Sequence, residues 1–345
     1  MNEPENILIV RTDRIGDVVL TLPLCSIIKK HYPNSKISFL LREYTKALAQ
    51  NNPCIDNIIT LKENKGKPLI FENIKQLKNK YDTCIVAHPT FRIALILFFS
   101  GIKIRIGTGY RWYSFLFNKK LYEHRKDAKF HELEYNVHLL KKIGIDEKIN
   151  RDNVTFNLYP AKESQEKIKI FLANKNVNIK KSIIIIHPGS GGSSVDLPIN
   201  KMKELVKKIS DELDVEILIT GNINEKELCQ SLVVNEKTKN ISGELELSEL
   251  IALIDQCKLL IANSTGPIHI ASALGKFVIG FYPNITECSE ERWGPYTNRK
   301  IIFKPKINCH ESNKMSEKIN CMNTIDINEV FKSVKNILTD IEKEK

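Results

Sequence analysis

Short apolar runs alternate with longer segments of helical periodicity twice along this chain. Strands are predicted at residues 7–10, 37–41, 58–61 and 84–87, and again at 183–186, 216–220, 259–262 and 277–281. Apolar residues at helical spacing separate them, as at 202–213 and 247–256. Strands that alternate with helices form parallel sheets built of βαβ units. The sequence therefore predicts an α/β protein with a parallel sheet in each half.

The strand-helix alternation pauses between about residues 106 and 160 and then resumes, which predicts a boundary between two halves. A chain of 345 residues is long for one domain and comfortable for two. We expect domains at 1–160 and 161–325, followed by an amphipathic terminal helix within 326–345.

Composition limits the partners and the location. The formal net charge of +11 favours an anionic partner, either nucleic acid, an acidic lipid surface or a phosphorylated substrate. The eight cysteines include no C-x-x-C pair, and the N-terminus has no signal-peptide pattern, so a cytoplasmic location is expected. The apolar run 93–99 is too short for a membrane span. Cys309 and Cys321 could pair or bind a metal with His310, but ordinary thiols are the expectation.

The loop after the first predicted strand, RTDRIGD, carries unusual charge. Gly16 would permit a tight turn, and Asp17 would lie near the first turn of the following helix, where the helix dipole keeps a carboxylate ionised. Such a carboxylate can act as a general base, or it can simply cap the helix. Arg11 and Arg14 beside it suit an anionic substrate, and we assign Asp13 to loop structure.

Three loops in the second half are candidates for binding a nucleotide, because ligands bind at the carboxyl ends of the strands in open α/β sheets. HPGSGGSS at 187–194 can converge backbone N–H groups on a phosphate, although such loops are often only turns. NSTGPIHIASALG at 263–275 predicts a second helix N-terminus, capped by Ser264 or Thr265. Glu225, in the third loop, could bind ribose hydroxyls or be an exposed first-turn residue.

Four blocks of sequence follow one another along the chain: RTDRIGDVVLTLP near the N-terminus, HPGSGGS with Leu197-Pro198, NSTGPIHIASALGK, and RWGP at 292–295. In this order they resemble glycosyltransferase family 9, the family of lipopolysaccharide core heptosyltransferases, and the resemblance covers nearly the whole chain. The resemblance implies a GT-B fold of two Rossmann-like domains facing across a cleft, with the acceptor bound mainly by residues 1–160 and the nucleotide sugar by 161–325. It also implies that the terminal helix packs back toward the domain junction.

The resemblance further implies transfer of heptose from ADP-L-glycero-D-manno-heptose to a lipopolysaccharide core or related envelope glycan, with inversion and without a metal ion or other cofactor. Asp17 matches the family's base. Donor-binding residues are expected at Ser190, Gly191, Glu225, Leu245, Ser264, Thr265, Gly266 and His269. Two positions depart from the pattern: Ser264-Thr265 replaces a donor-contacting carboxylate, and Val195 occupies the place of a lysine that meets the diphosphate in some members.

The acceptor is expected to meet basic residues of the first half. Residues 103–131 contain eight Lys or Arg against two acidic residues, with aromatic residues interleaved. Such a mixture can bind single-stranded nucleic acid, a phosphorylated glycolipid or an anionic membrane face, or form a solvated loop. Given a sugar transferase, the glycolipid interpretation fits best. The predicted acceptor-binding residues are Arg11, Arg14, Gly16, Arg105, Lys119, Lys120 and Arg125.

The main hypothesis is therefore a cytoplasmic glycosyltransferase that binds an ADP-heptose donor and an anionic glycolipid or oligosaccharide acceptor, in peripheral contact with the inner membrane and without nucleic acid. A different sugar-nucleotide enzyme on the same fold, with another donor sugar or an epimerase activity, is the first alternative. A non-catalytic nucleic-acid-binding protein is the second, although it gives the ordered loops no role.

Overall fold

The computed structural model describes residues 3–307 and 321–343, which form two compact units. The first unit comprises the chain up to Arg125 together with Phe130–Tyr159, and the second comprises Lys126–Lys129 and the chain from Pro160 onward. Cys309 and His310 lie outside the described residues. Cys321 is buried and disulfide-bonded, so the expectation of an ordinary thiol at Cys321 was wrong. No helix of the described ranges has the length and apolar character needed to cross a membrane.

The first unit contains a parallel sheet in the order β3-β2-β1-β6-β7-β8, plus a small antiparallel pair formed by β4 and β5. Its elements are β1 (Asn6–Val10), α1 (Ile15–Val19), α2 (Pro23–His31), β2 (Lys36–Leu41), β3 (Asn57–Thr60), β4 (Glu63–Asn64), β5 (Lys67–Pro68), α3 (Ile70–Leu77), β6 (Thr83–Val86), α4 (Phe91–Phe99), β7 (Ile104–Thr108), β8 (Lys119–Leu121) and α5 (Glu132–His138).

The second unit repeats the same strand order in a second parallel sheet, β11-β10-β9-β12-β13-β14. Its elements are α6 (Lys162–Asn174), β9 (Ser182–His187), α7 (Ile199–Glu212), β10 (Val215–Ile219), α8 (Lys226–Gln230), β11 (Thr238–Asn240), α9 (Leu247–Gln256), β12 (Leu259–Asn263), α10 (Gly266–Ala273), β13 (Phe277–Phe281), α11 (Glu290–Trp293), β14 (Lys300–Phe303) and α12 (Ile327–Lys343).

Buried β-branched and leucine side chains explain why the central strands form. The inner strands β1, β9 and β12 are almost fully buried, as expected for parallel strands covered by helices on both faces. In each unit the chain reverses its direction of strand addition beside the first strand, between β1 and β6 and between β9 and β12. Ligands of open α/β sheets bind at such switch points, so the loops after β1, β9 and β12 are well placed.

The terminal helix α12 belongs to the core of the second unit. Val330, Phe331 and Val334 pack in one apolar cluster with Met202 and Leu205 of α7. The helix has a strong apolar stripe and a charged opposite face, which is the pattern that made it predictable.

Candidate functional site

Arg11 is the centre of a buried ionic cluster at the end of β1. Its side chain is only 2% exposed, and it pairs with Asp13 (Nε to Oδ1, 2.7 Å), with Asp17, and with Glu132 (Nη1 to Oε1, 3.4 Å). Burial alone would lower the pKa of Arg11, but the three carboxylates hold it above its ordinary value. The Arg11 guanidinium therefore already pairs with three carboxylates of the protein, and its place in acceptor binding stays a prediction.

Asp17 occupies the first turn of α1, as predicted, and its side chain keeps 14% of its surface exposed. The N-cap of α1 is Arg14 and not Asp17, so the Asp17 carboxylate does not serve as the cap of this helix. Burial raises the pKa of Asp17 to about 6; Arg11 opposes this shift, and the charges of Asp13 and Glu132 add to it. A carboxylate with a pKa near neutrality is suited to accept a proton.

Two residues of α5, one helical turn apart, complete this cluster. Glu132 binds both Arg11 and Arg125, and Asn136 Oδ1 accepts hydrogen bonds from Nη1 of Arg11 (3.3 Å) and of Arg125 (3.1 Å). Asn136 Nδ2 donates to the carbonyl oxygen of Leu20, 3.1 Å away, which ties α5 to the end of α1. The cluster is therefore built from segments more than 100 residues apart in sequence.

The other predicted residues of this loop have different environments. Arg14 is exposed and forms no ion pair with the described residues, so it is available to a ligand. Gly16 is buried within α1 and does not have a positive φ angle, so a tight turn is not the reason for a glycine here; that expectation was wrong. His88 Nδ1 lies 3.5 Å from Asp13 Oδ2, a neighbour that the sequence did not indicate.

The predicted acceptor residues of the segment 103–131 are not all in one place. Arg125 joins the Arg11 cluster. Arg105 donates from Nε to the carbonyl oxygen of Leu116 (2.8 Å) and from Nη1 to that of Ile102 (2.5 Å), which indicates a structural role. Lys119 and Lys120 lie on the edge strand β8 and are half-buried.

The second candidate site lies at the carboxyl end of the sheet in the second unit. The predicted donor residues follow four adjacent strands: Ser190 and Gly191 follow β9, Glu225 follows β10, Leu245 follows β11, and Ser264, Thr265, Gly266 and His269 follow β12. Contacts join these loops, since Ser193 Oγ donates to the carbonyl oxygen of Ser264, 3.0 Å away. The loops that the sequence singled out therefore meet at one edge of one sheet.

The loop after β9 has two glycines with positive φ angles at its tip, and hydrogen bonds hold its two ends in place. Gly191 and Gly192 have φ angles of 58° and 76°, which favour glycine, and no atom would contact a Cβ at either position. Asn263 is fully buried and holds the loop: its Oδ1 accepts from Leu197 N (2.9 Å), and its Nδ2 donates to the carbonyl oxygen of Pro188 (2.5 Å). The tip is open while its ends are anchored.

Glu225 lies against this loop. Its Oε2 accepts a hydrogen bond from Asn222 N (2.8 Å), and a Cβ added to Gly189 would come within 1.8 Å of Glu225 Oε1. Gly189 is therefore the residue that makes room for the carboxylate. The sequence indicated Glu225 but not this close approach.

Thr265 and Val195 lie at the two positions where the sequence departs from the family pattern, and the structure shows the surroundings of each. Thr265 is the N-cap of α10, yet its hydroxyl makes no capping hydrogen bond. Val195 is buried in the apolar core, whereas the adjacent Asp196 turns into the loop, where its Oδ2 accepts from Ser190 N (3.2 Å). Burial raises the pKa of Asp196. Its other oxygen, Oδ1, is buried without a hydrogen-bond partner among the described residues.

His187, the last residue of β9, lies at the same edge of the sheet, and its burial can be tested by the pH dependence of stability. It is buried, its Nδ1 lies 2.9 Å from Thr220 Oγ1, and burial lowers its pKa to about 4. The unfolded chain, with a histidine pKa of about 6.5, therefore binds a proton first as the pH falls. Hence the free energy of unfolding should decrease between pH 6.5 and 4, by at most about 1.4 kcal/mol per pH unit from this residue.

We expect His187→Gln to make the free energy of unfolding less dependent on pH in that range, as measured by urea titrations at pH 7.5, 6 and 5. His124→Gln, at an exposed histidine, is the control and should leave the dependence unchanged. If both variants keep the wild-type dependence, His187 is not held neutral in the folded protein.

No group of three or more His, Cys, Asp or Glu side chains within residues 3–307 and 321–343 is arranged to hold a metal ion. The anchored glycine loop, the adjoining N-terminus of α10 and the carboxylate of Glu225 are all protein groups that can bind parts of a nucleotide without one.

Comparison with known proteins gives a consistent result. The family model of glycosyltransferase family 9 (heptosyltransferase) matches residues 70–323. A Haemophilus influenzae protein provisionally named a glycosyltransferase is 29% identical over 317 residues, which are 87% of this chain and 89% of that protein. Lipopolysaccharide heptosyltransferase 2 of Escherichia coli K12 is 25% identical over 289 residues, which are 80% of this chain and 82% of the relative.

Two solved structures share the fold over almost their whole length. A glycosyl transferase family 9 protein from Veillonella parvula has a TM-score of 0.82 at 20% identity, with 98% of each chain covered. The ADP-heptose lipopolysaccharide heptosyltransferase II of Escherichia coli has a TM-score of 0.79 at 20% identity, with 98% of this chain and 99% of that chain covered. Together with the two parallel sheets, they confirm the predicted GT-B fold.

Proposed function

Because this chain belongs to glycosyltransferase family 9, the heptosyltransferase family, we propose that it transfers heptose from ADP-L-glycero-D-manno-heptose to a lipopolysaccharide core or related envelope glycan. The chain is a glycosyltransferase by family, and the sugar, nucleotide and acceptor are the proposal. The observation that carries the mechanism is the carboxylate of Asp17, fixed by buried Arg11, partly exposed, and with a pKa raised to about 6.

In the proposed reaction, Asp17 removes the proton from an acceptor hydroxyl. The hydroxyl oxygen then bonds to the anomeric carbon of the donor while the bond between that carbon and the diphosphate oxygen breaks. ADP leaves, and the configuration of the anomeric carbon is inverted. General bases contribute typically 10²–10⁴-fold to such reactions.

We assign the donor to the carboxyl edge of the second unit's sheet. Backbone N–H groups of the loop around Ser190 and Gly191 and of the start of α10 at Thr265 and Gly266 would meet the diphosphate, since helix N-termini and glycine loops favour anions. Glu225 would accept hydrogen bonds from ribose hydroxyls. His269 and Leu245 complete the proposed pocket, His269 as a buried residue of α10 and Leu245 half-buried before α9. The solved relative named for ADP-heptose supports the choice of ADP.

We assign the anionic acceptor to the first unit. Arg14 is exposed beside Asp17, and Arg125 is one quarter exposed within the same cluster. Both can meet carboxylate or phosphate groups of a glycolipid. Lys119 and Lys120 on β8 remain predicted contacts, and peripheral contact with the membrane that holds the acceptor is part of the proposal.

Donor binding is tested by calorimetry of ADP with the full chain, with and without a chelator. We expect ADP to bind in both conditions, because backbone N–H groups of the two loops can donate hydrogen bonds to the diphosphate. The expectation fails if binding needs added Mg²⁺. A panel of other nucleoside diphosphates then tests the choice of ADP, and equal affinity for all of them would contradict it.

Gly189→Ala should weaken ADP binding roughly 10-fold, a cost of about 1.4 kcal/mol, because the new Cβ must displace the Glu225 carboxylate. Gly192→Ala is the control: its Cβ meets no atom, although the positive φ adds some strain. Calorimetry of both variants with ADP decides the matter. Equal affinities in the two variants would remove Glu225 from the donor site.

A further inference from the structure

Helix α4 has an apolar outer face. Its inward side chains, including Ile93, Ile96 and Leu97, are buried in the core of the first unit. On the opposite side Phe91, Leu95, Phe98 and Phe99 recur at the spacing of one helix face, and they are partly or largely exposed. A surface helix of a globular protein normally carries polar residues on its outward face.

Two further aromatic side chains extend this face. Trp112 and Phe115 are 72% and 67% exposed, and the ring of Trp112 lies 4.7 Å from that of Phe91. We call Phe91, Phe98, Phe99, Trp112 and Phe115 the aromatic face.

The aromatic face is held by buried neighbours. Tyr113 and Leu116, which follow Trp112 and Phe115 in sequence, are buried in the same core as α4. The hydroxyl of Tyr113 donates to the carbonyl oxygen of Pro89 (2.8 Å), and Arg105 stacks over the ring of Phe98, 5.0 Å from its centroid. Both exposed rings are therefore presented by an ordered segment.

All charged residues in the segment that carries the aromatic face are basic. Residues 91–121 contain six Lys or Arg and no Asp or Glu. Arg92, Lys103 and Arg111 are exposed and form no ion pair with the described residues. Exposed cations beside aromatic side chains match an anionic lipid surface, where the rings enter the interface and the cations meet the headgroups.

We propose that the aromatic face, with Arg92, Lys103 and Arg111, docks this protein on an anionic lipid bilayer. The inference deepens the proposed function, since it supplies the surface for the membrane contact of a glycolipid transferase. Its test uses no nucleotide and no acceptor, so it can fail or succeed independently of the proposed reaction.

The test is co-sedimentation of the full chain with vesicles of phosphatidylcholine alone or with about one third phosphatidylglycerol. We expect binding to the anionic vesicles, much weaker binding to the neutral ones, and weakening by salt. Trp112→Ser with Phe115→Ser should lower the partition coefficient on anionic vesicles ~10-fold or more, because two large apolar side chains no longer enter the interface.

Ile170→Ser with Ile179→Ser is the matched control, since these two apolar residues of the second unit are also largely exposed. It should bind vesicles like the wild type, and circular dichroism should show that both double variants are folded. The proposal is overturned if the aromatic variant binds as well as the wild type, or if the control loses as much. It is also overturned if size-exclusion chromatography shows a wild-type dimer that the aromatic variant dissociates, because the face would then bind a second copy of the chain.

Discussion

Asp17→Asn should lower kcat by about 10²-fold or more, the scale of a general base, while the fold and the affinity for ADP stay unchanged. The amide has the size of the carboxylate and cannot accept the acceptor's proton. Arg11 keeps Asp13 and Glu132 as partners, so the cluster loses only one of its anions. Steady-state transfer rates, calorimetry with ADP and thermal unfolding of the variant are the measurements.

The dependence of kcat/KM on pH is an independent test of Asp17 as the general base. The base must be unprotonated, and burial raises its pKa to about 6, so kcat/KM of the wild type should fall as the pH drops below about 6. The residual activity of Asp17→Asn should not show this decrease of kcat/KM at acidic pH. If Asp17→Asn keeps both the wild-type kcat and the decrease of kcat/KM at acidic pH, another group is the base.

Asp13→Asn is the matched control on the same loop. Asp13 Oδ1 accepts from Arg11 Nε, and its Oδ2 lies beside His88, so both oxygens already have neighbours in the fold. We expect only a few-fold loss of kcat from a less rigid Arg11. If Asp13→Asn is inactive and Asp17→Asn is not, the roles of the two aspartates must be exchanged.

Arg11→Met should cost about 3–5 kcal/mol of unfolding free energy near pH 8, because removing one partner of a buried ionic group leaves the others uncompensated. Arg125 still pairs with Glu132. The main loss is therefore the missing countercharge for Asp13 and Asp17. The loss should shrink toward pH 5. Arg11 lowers the pKa of Asp17 in the wild type. Without Arg11 that pKa rises further in the folded state, so Asp17 takes up a proton there as the pH falls and loses its unfavourable charge.

Arg14→Met is the control for Arg11→Met, as both remove an arginine from one loop and add a side chain of similar length. Arg14 is exposed and has no ion pair with the described residues, so we expect a change within about 0.5 kcal/mol. Urea unfolding of both variants at pH 8 and pH 5 is the measurement. Equal losses in the two variants would contradict the central position of Arg11.

Strong local patterns made much of the fold predictable. The strands predicted at 7–10, 183–186 and 277–281 agree with the structure within a residue or two, because each is a buried run of apolar residues bounded by turn residues. Among the strands of the two main sheets, β7, β8, β11 and β14 were missed. Lys119–Leu121 has only three residues and two of them are lysines, so nothing in its composition indicates an edge strand; its partner β7 specifies it.

The candidate site was predictable only in part. Asp17, Glu225 and the loop at Ser190 lie directly after strands, so their position follows from the sheet. The burial of Arg11 does not, because its partners Glu132 and Asn136 come from α5, more than 100 residues later. The contact of Gly189 with Glu225 likewise depends on how two loops pack.

The exposed side of α4 could not be predicted from the sequence. The run 93–99 is wholly apolar, and such a run in a globular protein is usually buried on all sides. Only the sheet-facing half is buried, and Phe98 and Phe99 are exposed. Composition cannot distinguish a core helix from a helix with an apolar outer face, since that depends on whether anything packs over it.

The most direct test of the proposed reaction is to incubate the protein with ADP-L-glycero-D-manno-heptose and a truncated lipopolysaccharide core acceptor in the presence of a chelator. Mass spectrometry and NMR then define the product. We predict one heptose added to the acceptor for each ADP released, with the anomeric configuration inverted and the reaction dependent on Asp17. Conversion of the donor without a product joined to the acceptor, or a product of retained configuration, would contradict the account.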